Sequence, residues 1–333
     1  MAGALALGGG ALTLGFRWNR MIVRADSSAA PNFTPTKLIR YNKDNHGLKL
    51  TLFQFQTCPF CCKTRAFLDY YGISYDVVEV NSVTKKQLKW SQYKKVPVLV
   101  VNGVGKDGFL QLNESSVIMS LLESYLINPK YKLEELKSYY PCIESKEGRK
   151  VVYDFPNRYY VMYGADVTKQ VYDERKQERK WRFWSDDNLV HVLSPNVYRT
   201  MSESLATFRY FSDVGDWEKN FSRFERLMVI YVGATVMYFV GKMLKKKHKL
   251  KKDVRESLYD SCREWTRALG TKQPFMGGKN PDLSDLAVYG VLSSIEGCEA
   301  FQDALKHTKI GPWYNRTKEA VKNNLGASVP LRK

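Results

Sequence analysis

The chain has 333 residues, enough for about two domains, each with its own buried core. With 44% hydrophobic and 26% charged residues, it is neither a mainly disordered chain nor a fibrous one. Six scattered cysteines exclude a small disulfide scaffold and suit a reducing compartment. The formal charge of +18 points to an anionic partner: nucleic acid, a membrane surface or an acidic small molecule.

Residues 1–24 read as a membrane anchor or targeting segment. No charge occurs before Arg17, and Arg20 and Arg24 follow before the first acid, Asp26. An organelle presequence and a cleaved secretory signal compete with this reading. Because the positive charge follows the apolar run, the secretory signal is disfavoured, and the expected arrangement is an anchor with its basic flank in the cytosol. Residues 25–47 then read as a linker.

Residues 48–55 alternate apolar and polar, which predicts a strand. After Cys58-Pro59-Phe60-Cys61, the residues Cys62, Ala66, Phe67 and Tyr70 share one face of a helix that ends at Gly72. A strand over 74–80, a short helix over 83–93 and a strand over 98–101 follow. Gly103, Gly105 and Gly108 mark a hairpin into a strand over 109–112. A helix from Ser115 carries Ile118, Leu121, Leu122 and Tyr125 at helical spacing. Residues 48–127 thus form an α/β domain.

Residues 128–172 lack periodicity and read as a partly structured connector. Residues 173–325 read as an all-α domain, with helices over 174–192, 202–211, 221–244, 252–269, 283–296 and 312–324. Asp282 and Asp285 form a capping box at the fifth of these. The apolar run 229–240 has the length of a buried bundle helix rather than a membrane span. The seven lysines of residues 242–252 read as a solvated helix terminus or as a contact for anionic headgroups. The remaining positive charge is diffuse and no nucleic-acid module is recognisable, so nucleic acid is not an expected partner.

The strand–Cys58-Pro59-Phe60-Cys61–helix arrangement carries the chemistry. A thiol at a helix N-terminus faces unpaired N–H groups and the positive end of the dipole, so Cys58 is a nucleophile near neutral pH. Pro59 suits the first turn, Phe60 gives an apolar wall, and Cys61 could resolve a mixed disulfide. A zinc site needs a second ligand pair. Cys142, Cys262 and Cys298 are isolated and the histidines lack partner spacing, so no metal is expected.

These motifs, with Lys95-Val96-Pro97-Val98-Leu99 and Leu112-Asn113-Glu114-Ser115-Ser116, resemble the thioredoxin-like half of glutaredoxins and glutathione transferases. Stretches of the helical half narrow the resemblance. They are Trp181-Arg182-Phe183-Trp184-Ser185-Asp186-Asp187 and His191-Val192-Leu193-Ser194-Pro195-Asn196-Val197-Tyr198-Arg199-Thr200, followed by Pro274-Phe275-Met276-Gly277-Gly278. Over roughly residues 48–320 the chain closely resembles the membrane-associated, type 2 prostaglandin E synthase family. The resemblance implies an α/β thioredoxin-like domain of glutaredoxin type followed by an all-α glutathione-transferase-like domain.

It further implies a catalytic Cys58 and glutathione contacts at Val96, cis-Pro97, Glu114 and Ser115. A pocket wall would include Phe55, Phe60, His191, Ser194, Tyr198 and, for haem, Lys247. Phe55 stands where the family typically has tyrosine, and Glu114 where it often has aspartate. The implied reaction is isomerisation of prostaglandin H2 to prostaglandin E2 with a thiol, glutathione or another. A haem-bound form would break prostaglandin H2 down to a C17 hydroxy acid and malondialdehyde. Homodimerisation and a Golgi or other endomembrane location, with the domains facing the cytosol, are also implied; a processed soluble form and a mitochondrial location are alternatives. A thiol–disulfide oxidoreductase or glutathione transferase, and a non-catalytic glutathione- and haem-binding protein, remain the competing functions.

Overall fold

Alternating buried positions order the first half around one sheet. The computed structural model describes residues 21–22, 32–82, 84–148, 150–163 and 168–328. Of the expected anchor segment, only the two-residue strand β1 (Met21–Ile22) falls within them. The remaining strands are β2 (Lys37–Ile39), β3 (Lys49–Gln54), β4 (Tyr75–Glu79), β5 (Val98–Asn102), β6 (Phe109–Asn113), β7 (Ile143–Glu147) and β8 (Lys150–Asp154). Strands β2 to β6 make a sheet in the order β2-β4-β3-β5-β6, with β3 and β4 parallel and the other pairs antiparallel. Helix α1 (Pro59–Tyr70) connects the parallel pair, and α2 (Ser115–Ile127) follows β6. This is the thioredoxin-like α/β arrangement.

The helical part comprises α4 (Lys169–Trp184), α5 (Val190–Val197), α6 (Met201–Val214), α7 (Trp217–Asn220), α8 (Arg223–Met228), α9 (Ala234–Lys247), α10 (Val254–Leu269), α11 (Leu283–Ser293), α12 (Glu299–His307) and α13 (Ile310–Lys322), preceded by α3 (Leu133–Ser138) in the connector. Two π-helical turns, Ser185–Leu189 and Val229–Gly233, join α4 to α5 and α8 to α9 without a break. Trp265 anchors the core, its ring centre 5.5 Å from that of Trp181 and 5.0 Å from that of Trp313. The Asp282–Asp285 capping box is present. Asp285 also accepts from Trp313 Nε1 at 2.8 Å, tying α11 to α13.

Helix α1 is shared by both parts, packing on α2 on one side and on α11 on the other. At Gly290 of α11 a Cβ would come within 2.5 Å of Lys63 Cα, so only glycine allows this close approach. The domain that carries Cys58 is thereby held directly against the helical part.

Several expectations are corrected. Among the described residues of 83–93 the helix is limited to a 3₁₀ turn, Lys86–Leu88, introduced by Lys85 with φ 46°. Side chains there take the backbone groups a helix would use: Asn81 Oδ1 accepts from Thr84 N at 2.9 Å and Gln87 Oε1 from Asn81 N at 3.0 Å. The linker contributes β2, an edge strand on β4, and the connector contributes α3 and the β7–β8 hairpin, on which β1 pairs. The first helix of the second half runs past residue 192 to Val197, with Pro195 inside it. Helix α12 was not read from the pattern. The expectation that residues 229–240 are a buried bundle helix fails, because Tyr231, Val232, Val236 and Phe239 are exposed.

Candidate active site

Strand register gathers the motifs of the first half at one end of the sheet. Phe53 near the end of β3 pairs with Val98 at the start of β5, which in turn pairs with Asn113 at the end of β6. The chain segments beyond these pairs carry Cys58, Val96-Pro97 and Glu114-Ser115. The Val96–Pro97 peptide bond is cis.

Cys58 is the N-cap of α1, with Pro59 in the first turn and Cys58 N donating to Phe55 O at 3.1 Å. The thiol is half-buried. A hydrogen bond from Cys61 holds its pKa below the ordinary thiol value. Burial opposes this, while the N–H groups of Cys61 and Phe60 and the Arg65 charge assist it. Cys61 is fully buried and is pushed well up by that burial and by the Cys58 sulfur beside it. Cys62 is buried and likewise raised, with Arg65 Nη2 at 3.1 Å from its sulfur. Of the three cysteines at this helix start, Cys58 is the one whose thiolate form is favoured.

A second layer holds the loop that presents Cys58. Glu79 accepts from Gln56 N at 2.6 Å and from Gln54 Nε2 at 3.2 Å, and Arg65 donates to Gln56 O at 2.6 Å. Burial pushes the Glu79 carboxyl up to about 7.

On one side of Cys58 lies a cavity of about 780 Å³. Phe55 and Cys58 line it from the α/β part. Tyr198, Phe208, Phe211 and Trp217 line it from the helical part, together with Met228, Val232 and Val236 from the α8–α9 helix. Among the described lining residues the only charged side chain is Glu225.

Glu114 and Ser115 make a different wall. Glu114 has φ 72°, a left-handed conformation that costs a non-glycine residue about 1–3 kcal/mol. Its carboxylate caps α2, accepting from Val117 N at 2.9 Å. Burial raises its pKa, the Lys63 charge opposing and the Asp186 charge adding. Ser115 Oγ is buried without a hydrogen-bond partner among the described residues. Next to it, Lys63 Nζ donates to Ser116 Oγ at 2.9 Å and to Asp186 of the π turn. Tyr159 of the connector donates to Asp186 Oδ2 at 3.0 Å. Lys63 is fully buried, so the Lys63–Asp186 pair locks the α/β and helical parts together. Removing one partner of such a pair costs about 3–5 kcal/mol.

The glutaredoxin family model matches residues 50–105, which contain β3, α1, β4 and β5. Prostaglandin E synthase 2 of Danio rerio is 47% identical over 280 residues, 83% of this chain and 72% of that protein. Prostaglandin E synthase 2 of Mus musculus is 45% identical over 327 residues, 96% of this chain and 81% of that protein. The chain belongs to the prostaglandin E synthase 2 family. Among solved structures, human glutathione transferase theta-2 in complex with glutathione aligns with 15% identity and a TM-score of 0.46, covering 84% of this chain and 88% of that one.

For this family member, the residues singled out from sequence fall into three groups. Phe55, Cys58 and Tyr198 meet at the cavity. Val96, Pro97, Glu114 and Ser115 meet at the sheet end, and Phe60 goes with them: its ring centre is 5.7 Å from Lys63 Nζ. His191, Ser194 and Lys247 line neither wall among the described residues. His191 stacks on His248 with ring centres 4.0 Å apart, and burial together with the His191 and Lys247 charges lowers the His248 pKa.

Glutathione fits the residues present. The orphaned Ser115 hydroxyl and the first N–H groups of α2 suit a carboxylate, Glu114 suits an ammonium group, and the Val96 backbone lies beyond the β5 ladder, open to an extended peptide. Haem does not fit the cavity as well. No described lining residue is a cation for its propionates, and Cys58 is the one lining thiol.

Sequence reading missed most of the helical wall, namely Phe208, Phe211, Trp217, Met228, Val232 and Val236. The spacing of Phe224, Met228, Val232 and Val236, four apart, was the available signal. It also missed Lys63 and Asp186, although Asp186 stands in one of the quoted motifs.

Proposed function

We propose that this protein isomerises prostaglandin H2 to prostaglandin E2, with Cys58 as the nucleophile at the mouth of the apolar cavity. The observation that carries this reading is a thiol with a lowered pKa opening onto a cavity of about 780 Å³ whose walls are almost entirely apolar. The helical wall would hold the two carbon chains and exclude water from the ring.

The Cys58 thiolate attacks the endoperoxide oxygen on carbon 9. A sulfur–oxygen bond forms, the weak O–O bond breaks, and its electron pair leaves on the carbon 11 oxygen as an alkoxide. That alkoxide takes the carbon 9 proton. The C–H electrons form the ketone while the sulfur–oxygen bond breaks and returns the thiolate. No electrons are gained or lost overall, so the thiol is regenerated. Bound at Val96, Glu114 and Ser115, glutathione would supply an alternative soft sulfur nucleophile. Cys61 is not required by this sequence of steps.

The partner classes follow from the same surfaces: a lipid endoperoxide for the apolar wall and a thiol peptide for the polar one. The uncharged run before Arg17 and the basic flank after it support a membrane-associated setting at an endomembrane, with the catalytic parts on the cytosolic face. The haem-dependent breakdown reading has no cation in the lining to support it.

Product analysis with purified protein, prostaglandin H2 and a thiol tests the reading. Cys58→Ser is expected to lower prostaglandin E2 formation at least about 100-fold, while Cys61→Ser keeps it. Equal loss in both variants would assign the chain instead to dithiol–disulfide exchange. Formation that never exceeds the non-enzymatic background would remove the synthase reading.

A further inference from the structure

The helix Arg223–Lys247 is long and apolar enough to cross a bilayer, yet one side of it is pressed onto the protein. Val229, Ile230 and Ala234 are buried. A Cβ on Gly233 would come within 2.7 Å of the Phe208 ring, and one on Gly241 within 3.3 Å of Tyr198. The opposite side carries Phe224, Leu227, Tyr231, Phe239 and Met243 at helical spacing, with Phe224 74%, Phe239 58% and Met243 62% exposed. Single exposed apolar residues are ordinary, but a continuous stripe along most of a 25-residue helix is not.

The stripe ends in charge. Seven of the residues 242–252 are lysines. Lys242, Lys245 and Lys252, with Arg199, line a recess of about 140 Å³ at this end of the helix, which Asp253 also borders. Lys246, Lys247 and Lys249 form no ion pair among the described residues. An apolar stripe running into a cluster of ammonium groups matches a bilayer interface, where acyl chains lie beside phosphates. A second copy of the chain would offer this helix little counter-charge, since Glu225 is the only acidic residue between 223 and 247.

We propose that the helix Arg223–Lys247 docks in the plane of an anionic lipid bilayer, its exposed stripe among the acyl chains and its terminal lysines on the phosphates. Phe224, Met228, Val232 and Val236 belong both to the exposed stripe and to the lining of the Cys58 cavity, so docking opens the cavity mouth to the acyl region. The docking itself is independent of the chemistry. Supply of an apolar substrate from the bilayer rests on the function proposed above.

The test is co-sedimentation of the full-length chain with phosphatidylcholine vesicles, with and without phosphatidylserine. The first variant is Leu227→Gln with Tyr231→Gln and Phe239→Gln, none of which lines the cavity. The second is Lys246→Glu with Lys249→Glu, both at the surface. The wild type is expected to partition to phosphatidylserine vesicles at least ten-fold more than either variant, with the rate of Cys58 alkylation unchanged as the sign of an intact fold. Variants that partition as the wild type does would place membrane binding elsewhere in the chain and overturn the proposal. So would a wild type that ignores phosphatidylserine. If the apolar variant turns a dimer into a monomer while vesicle binding stays the same, a second copy is the occupant and the proposal fails. No prostaglandin enters the assay, so its outcome is separate from that of the proposed reaction.

Discussion

The two walls that meet at Cys58 are built from different materials. The wall of Val96, Glu114 and Ser115 is made largely of backbone groups at strand ends and a helix start, held by strand register and by one residue at positive φ. The wall of Tyr198, Phe208, Met228 and Val232 is made of side chains drawn from the end of α5, from α6 and from the continuous α8–α9 helix. The first suits a charged, extended peptide, because backbone donors and a carboxylate fix its ends. The second suits a flexible apolar chain, because it offers contact area with few directional groups. A thiolate placed between them can be shared by a peptide thiol and a lipid.

The largest effect after loss of Cys58 itself is expected from charge on the apolar wall. Val236→Asp, at an exposed position that leaves packing intact, should raise KM for prostaglandin H2 about ten-fold through desolvation of the new carboxylate. Glutathione affinity should stay the same, and a parallel loss of both would merge the two walls into one site. Glu114→Gln is the converse change. It keeps an oxygen to cap Val117 N but removes the charge, so calorimetry should show glutathione binding weakened about ten-fold, with the KM of the lipid unchanged. Unchanged glutathione affinity would remove Glu114 from the peptide site.

A smaller and slower effect concerns the loop shared by both walls. Glu79 titrates at about 7 in the folded protein and near 4.5 when exposed, so between these values the folded state holds the extra proton. Its contribution to stability therefore falls as pH rises through that window. Glu79→Gln, which cannot ionise, should flatten the pH dependence of unfolding between pH 5 and 8 by on the order of 1–3 kcal/mol. Denaturant titrations at the two pH values measure this, and identical slopes in both proteins would contradict the assignment.

The same contrast explains what could be read from sequence. Cys58 announces itself as a local motif at a strand–helix junction, while Val96-Pro97 and Glu114-Ser115, ordinary on their own, gain meaning from their order and spacing after it. The helical wall depends on how α5, α6 and the α8–α9 helix cross, which no local pattern encodes. Tyr198 was reached only through resemblance, and Phe208 and Trp217 not at all. His191, like Tyr198, was reached only through resemblance; it stacks on His248 and is not among the residues lining the cavity. Residues 229–240 carried a correct helical pattern and a wrong burial reading, because periodicity shows that a helix has an apolar side without showing what covers it. In place of the short helix expected over 83–93, Lys85 at positive φ turns the chain into the 3₁₀ turn Lys86–Leu88.

The account turns on two separate subsites that share one sulfur. The most direct measurement is a calorimetric titration of glutathione into the wild-type protein, with and without a saturating long-chain fatty acid. Separate walls require the glutathione Kd to stay within about two-fold when the apolar cavity is filled, with Cys58 alkylation slowed by either ligand. Displacement of glutathione by the fatty acid would contradict the account, because both would then occupy a single site at Cys58.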